Sequence, residues 1–348
     1  MQRINLYTSF LCTCSFILVC CRSISKLKCY TYFLYTYFKM ITISRNYFLG
    51  SMQLLVALAG TVGNLLVILL IFWNPRLLKN NHYYLVLHLA ICDLSILVFT
   101  SSEINNAFTG RSMINSPALC KLWWPTHTVF YNAGIFFMVL ISIVRYQAVL
   151  KPLEPAVSRC KVKVLAVLVY VLSTICVLPY VLVLQFNYKS GCVEMWPMQL
   201  LNIFYTSALS AVQYFIPIVL LSIVYWRICI VLAKQNRKMK LLCGPLHQEN
   251  LSPYQRFRQY RNVRTFFASL TVVTCFAVTA LPSQIIYILS TSNVIEFPWY
   301  YFWFHVLNSF GVSAVNPFIY GTLDRKLLSS FTKRMRKVLH VALTSKVT

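Results

Sequence analysis

The sequence predicts an all-α membrane protein: a seven-transmembrane helix bundle followed by an amphipathic C-terminal helix. Three observations carry this prediction. The chain is 58% hydrophobic and only 11% charged, whereas a soluble domain carries about 25% charged residues. Its apolar residues gather into seven windows, at 47–72, 82–102, 122–144, 162–186, 199–233, 263–290 and 298–320. Each is long enough to cross a hydrocarbon core of about 30 Å as a helix. Its basic residues are segregated by loop. Of 32 Lys and Arg, 23 lie in or beside the loops after the first, third and fifth windows and in the tail; the intervening loops hold only Arg111, Lys121 and Lys189. The asymmetry puts the basic loops and the tail in the cytoplasm and the N-terminus outside, as in a multi-pass protein of the plasma membrane. It also locates the net charge of +25 on loops at a membrane surface, so the charge is no argument for nucleic-acid binding.

Lipid offers no partner to a backbone N–H or C=O, so each window is read as a helix. Residues 1–46 stand apart. Arg3 precedes an apolar run, Phe10 to Cys21, that reads like a signal-peptide core, and Arg22, Lys26, Lys28, Lys39 and Arg45 then go against the orientation rule. The segment is an extracellular or signal-like stretch that is either cleaved or foreign to the protein, with Met40 or Met52 as the start. Residues 47–320 form the helical domain and 321–348 the tail.

The first helix carries Gly63-Asn64 in an aliphatic run, and an Asn in lipid needs a partner. The second carries Asp93, which costs about 2.5–3.5 kcal/mol to insert and must therefore face the bundle. Glu103 follows ten residues on, near the outer end. The third runs from Cys120 to Val149, 30 residues, or roughly 45 Å of helix. It has a thiol at one mouth and a guanidinium, Arg145, at the other.

Taken together, Gly63-Asn64, Leu89-Ala90 with Asp93, Cys120, Arg145-Tyr146 and Asn316-Pro317-Phe318-Ile319-Tyr320 resemble, in order and spacing, the rhodopsin-like G-protein-coupled receptors over residues 47–340. The resemblance implies a disulfide between Cys120 and Cys192, a bond that an oxidising compartment permits. It implies an activation switch built from Arg145, Tyr146, Tyr225, Phe276, Pro282, Asn316, Pro317 and Tyr320. It also implies a sodium pocket at Asp93, Ser313 and Asn316, depleted by Gly134 and Val312. Cys192-Val193-Glu194-Met195-Trp196-Pro197 and the fifth-helix run Gln213-Tyr214-Phe215-Ile216-Pro217 are similar to the neuropeptide branch, of the RFamide, neuropeptide Y and orexin type.

Several positions depart from the family pattern. Val144 stands where an Asp usually precedes the inner arginine, so Arg145 lacks its intrahelical partner and basal activity is expected to rise. Thr279-Ala280 replaces the Cys-Trp pair before Pro282, removing the aromatic that rearranges beneath the ligand. Tyr170 stands where a Trp is customary, and Phe310 where light receptors attach retinal, which argues against an opsin.

The loop at 234–262 is basic and suits anionic lipid or an acidic partner. After Tyr320, Asp324 caps a segment whose Leu327, Leu328, Phe331, Met335 and Val338 make one apolar face, as in a helix lying on the inner leaflet.

No nucleophile–base pair, metal-spaced cluster or inverted repeat suggests an enzyme or a transporter. The expected activity is transduction of an extracellular peptide into activation of a heterotrimeric G protein, with no cofactor beyond the possible Na⁺. The ligand cavity is expected at Glu103, His127, Gln284 and Tyr287, with Glu194 at the lip. His127 stands where amine receptors hold Asp, so a monoamine is disfavoured. The alternative is an atypical or decoy seven-helix receptor with weak or constitutive signalling, motivated by Val144 and Ala280.

Overall fold

The computed structural model describes residues 26–150, 157–188, 191–242, 253–296 and 301–323, with Ser329, Thr332 and Arg336. Among the described residues six helices are long and apolar enough to cross a membrane, with candidate spans at Ser44–Phe72, Asn81–Thr109, Pro117–Gln147, Arg159–Val183, Gln199–Lys234 and Leu270–Thr291. The seventh window is filled by Tyr301–Ser309, a π turn at Phe310–Ala314, and Val315–Leu323.

The first helix, Lys26–Phe72, runs unbroken through residue 46, so the boundary expected from hydropathy falls inside a helix. Leu49, Gln53, Ala57, Asn64, Val67 and Ile71 are buried, at the spacing of one helical stripe. Leu54, Leu55, Leu58, Val62, Leu65 and Leu66 remain exposed, as a lipid-facing surface should be. Two glycines set its distance from the rest of the bundle. A Cβ on Gly60 would come within 2.6 Å of Leu97, and one on Gly63 within 2.8 Å of Pro317.

The second helix starts at Asn81, where the side chain of Asn80 accepts the N–H of His82 at 3.0 Å. It continues past Thr100 as Ser101–Thr109 and stops at Gly110, which takes the left-handed conformation (φ 67°) of a helix C-cap. The third, Pro117–Leu150, is central and packs on the second, fourth and fifth. Cys120, Asn132, Ala133, Ile135, Phe137 and Met138 are among its buried residues.

The fourth helix, Arg159–Val183, is capped by Ser158. Its apolar window extended to residue 186, but at Leu184 the chain turns into a strand. β1 (Leu184–Asn187) pairs antiparallel with β2 (Gly191–Glu194), setting Phe186 opposite Cys192. Cys192 is bonded to Cys120, with Cα atoms 5.5 Å apart, so the hairpin is fixed across the outer end of the third helix.

The fifth helix comprises Gln199–Ser210, a π turn at Ala211–Phe215, and Ile216–Leu242. The π turn ends two residues before Pro217, whose missing N–H breaks the ordinary ladder there. The sixth helix, Pro253–Thr291, contains Pro282. Beyond residue 323, Ser329, Thr332 and Arg336 are helical and exposed, the spacing of one polar stripe. The apolar face expected opposite them, and residues 1–25, lie outside the described residues.

The sixth and seventh helices meet where Thr279-Ala280 replaces a bulky pair. A Cβ on Gly311 would fall 1.9 Å from Thr279 Oγ1 and 2.7 Å from its Cβ. Small residues on both sides permit this approach. Gly311→Ala is expected to destabilise the bundle by about 1–3 kcal/mol, the usual cost of overpacking. Adding Thr279→Ala should restore part of that loss, and thermal unfolding of the two purified variants measures both effects.

Candidate functional site

The polar residues of the spans lie at successive levels of the bundle, from the end bearing the Cys120–Cys192 hairpin, the outer end by the charge asymmetry of the loops, to the opposite, inner end. At the outer end Glu103 is held from two sides. Its Oε2 lies 3.0 Å from His305 Nε2 in the seventh helix. The same oxygen accepts from Gln53 Nε2 in the first helix. His127, in the third helix, is within electrostatic range of both Glu103 and His305. Its ring meets Phe99 and Trp124 edge-on, each at 6.3 Å. Glu103 and His127 thus come together, joined by Gln53 and His305, which sequence reasoning passed over. A histidine or glutamine within an apolar run gives no sign of what it faces.

Below them Tyr131 Oη lies 3.3–3.4 Å from the side-chain amide of Asn308, with Gln284 beside it. Tyr131, Asn308 and Gln284 are all at most 8% exposed, so this contact lies inside the bundle. At the lip, Glu194 Oε2 accepts from Trp196 Nε1 at 2.8 Å, and the Trp196 ring packs on Tyr205 at 5.1 Å. Tyr180, Tyr205 and Tyr287 are all within electrostatic range of Glu194. The lip therefore offers a carboxylate among aromatic rings, a setting that suits a cation.

In the middle of the bundle, Asp93 is fully buried, and its Oδ2 accepts from Asn316 Nδ2 at 2.8 Å. Asn64 Nδ2 donates to Ser313 O at 2.9 Å and to Gly60 O at 3.0 Å, which answers the question of its partner. Asp93 Oδ1 and Ser313 Oγ are buried without a hydrogen-bond partner among the described residues. Both are hard oxygen donors of the kind an alkali cation takes. Nearby, Gln213 Nε2 donates to Asn132 Oδ1 at 2.7 Å, and Tyr214 Oη donates to Ala277 O at 2.7 Å. Phe276 is fully buried against Tyr214, ring centroids 5.7 Å apart.

At the inner end Tyr225 Oη lies 3.0 Å from Ser142 Oγ. Tyr146 Oη accepts from Arg227 Nη1 at 3.4 Å. Arg145 Nη2 donates to His82 Nε2 at 2.8 Å, so the arginine that follows Val144 has an imidazole across from it. Pro317 packs against Gly63. The side chain of Tyr320 lies outside the described residues.

With this geometry in place, comparison with known proteins is specific. Residues 63–320 match the model of the 7 transmembrane receptor (rhodopsin family). The chain is 27% identical over 316 residues to neuropeptide Y receptor type 6 of Oryctolagus cuniculus, covering 82% of this chain and 78% of that one. It is 26% identical to the RYamide receptor of Drosophila melanogaster, over 80% of this chain and 61% of the relative. Squid rhodopsin superimposes with a TM-score of 0.69 at 17% identity, covering 85% of this chain and 87% of that one, which speaks to the fold alone.

The Tyr131–Asn308 contact crosses from the third helix to the seventh within the bundle. A double-mutant cycle of Tyr131→Phe and Asn308→Leu, read by thermal unfolding, is expected to give a coupling near 0.6 kcal/mol and no more than about 1.7 kcal/mol, the range for such bonds between membrane helices.

Proposed function

The chain belongs to the rhodopsin family of seven-transmembrane receptors, which are not enzymes, and on that footing we propose that it transduces an extracellular neuropeptide into heterotrimeric G-protein activation. The observation that carries this reading is the carboxylate of Glu103, half-buried where the first, second and seventh helices meet. Glu194 offers a second carboxylate at the lip. A peptide with a cationic end would find charge-assisted hydrogen bonds at both. The names of the relatives agree with a peptide ligand. The Cys120–Cys192 bond needs an oxidising compartment, which supports an outward-facing hairpin and N-terminus.

Signalling would be a population shift. A ligand moves the equilibrium only by as much as it prefers one arrangement of the bundle over the other. Glu103, Tyr131 and Asn308 would face the ligand, and Asp93 with Asn316, and then Arg145, would carry the change inward. The second reading is a receptor that binds ligand but signals weakly, favoured by Val144 and Ala280. Ligand-driven nucleotide exchange on purified G protein separates the two.

The site at Asp93, Ser313 and Asn316 fits a sodium ion on two oxygens without a partner among the described residues, Asp93 Oδ1 and Ser313 Oγ. Sodium there would supply the counter-charge that Asp93 lacks. If so, Asp93→Asn abolishes the effect of Na⁺ on agonist affinity, measured by competition binding with and without the ion.

Amidated peptides ending in Arg-Phe are the ligands to screen first. Against the best of them, Glu103→Gln is expected to raise the half-maximal concentration tenfold or more, on the order of 1.4 kcal/mol. Unchanged potency would remove Glu103 from the ligand contact.

A further inference from the structure

At the outer end of the bundle, one carboxylate oxygen is shared by a group that never changes charge and a group that can. Gln53 Nε2 donates to Glu103 Oε2 from the first helix. A side-chain amide is neutral at every pH, so this bond fixes where the carboxylate sits whatever the medium. His305 Nε2, in the seventh helix, lies 3.0 Å from the same Oε2. That nitrogen is buried and makes no aligned hydrogen bond among the described residues. The contact therefore owes more to charge than to hydrogen-bond geometry, and an imidazole carries charge only when protonated.

Two further titratable groups face the pair. His127 approaches from the third helix, within electrostatic range of both Glu103 and His305. Tyr301, one turn before His305 on the seventh helix, is within range of Glu103, and its ring lies 6.2 Å from that of His305. The Glu103 and His305 side chains are each 23% exposed. Half-buried charges of this kind interact more strongly than they would in water, yet both remain open to proton exchange.

We propose that His305 sets the charge specificity of this site: a cationic group of the ligand takes the place of the proton on His305 opposite Glu103. With the imidazole neutral, the carboxylate offers its negative charge to the ligand. With the imidazole protonated, two cations compete for one oxygen. The arriving cation then expels a proton: the imidazolium N–H bond breaks, the proton passes to water, and the ring stays behind neutral. Cationic ligands are thereby held more weakly in acid. This inference rests on the peptide reading for the identity of the cation, but not for the pairing of Glu103 with His305.

The full chain in lipid nanodiscs is titrated with a fluorescent, N-acetylated, histidine-free peptide ending in Arg-Phe-amide, at about pH 7.5 and about pH 5.5. The peptide's arginine stays charged at both, so only the receptor titrates. A free imidazole titrates near pH 6.5, and its neutral fraction falls about tenfold over this interval. The dissociation constant is expected to rise about tenfold in acid, in proportion to that lost fraction. His305→Gln should abolish the rise, and His127→Gln should leave it in place. A dissociation constant that is the same at both pH values in the unaltered chain overturns the proposal. So does a rise that survives His305→Gln, or one that His127→Gln removes.

If the peptide binds at neither pH, the peptide reading of the site fails instead. The pair is then read without ligand, as it is if His305→Gln no longer binds. Thermal unfolding of Glu103→Gln, His305→Gln and the double variant at both pH values gives their coupling. A larger coupling at the acid pH supports the proton-linked pair; equal coupling at the two, or none, overturns it.

Discussion

One buried carboxylate governs the arrangement of the bundle. Asp93 has no exposure and sits where water cannot solvate it. It is tolerable only if other helices bring polar atoms to it. Asn316 does so from the seventh helix, and Asn64 ties the same region of the seventh helix to the first through Ser313 O. For those short polar side chains to reach, the backbones must come close. Gly60 and Gly63 allow this, one against Leu97 and Ala314 and the other against Pro317. The glycines, the asparagines and the aspartate are thus parts of one requirement rather than separate motifs.

Above and below that centre the chain uses less usual means. Where a bulky aromatic would separate the sixth and seventh helices, Thr279 and Gly311 touch directly, and Tyr131 reaches across to Asn308 from the third helix. Inside the bundle, between the third and seventh helices, a phenol is therefore held by an amide. At the inner end, an imidazole stands opposite the arginine whose neighbouring position is aliphatic.

The helical spans were legible in hydropathy because lipid admits no unpaired backbone and so makes each apolar window a helix. The pairing of Cys120 with Cys192 and the inward face of Asp93 were legible through motif order and the cost of burying charge. The remaining site residues were not. Gln53 lies 50 positions from Glu103, and His82 lies 63 from Arg145. Nothing local to Gln53 or His82 records that distant partner, and His305 is equally mute. The hairpin was hidden for a different reason. Leu184 to Asn187 is four residues long, too short for alternation to stand out from the apolar run before it. The first helix extends back to Lys26 through Tyr and Phe mixed with Lys and Arg, where hydropathy falls but helix geometry does not change.

The π turn in the seventh helix has a geometric role of its own. Asn308 faces Tyr131 and Asn316 faces Asp93, eight residues apart. On a regular helix they would stand about 80° apart around the axis. The wider turn at Phe310–Ala314 takes up roughly one residue of rotation and returns them to within about 20° of each other. One residue of slack in the winding is what lets a single rod show a polar edge to both compartments of the bundle. Tightening that winding would swing one amide out of line with the other while leaving the rod unbroken.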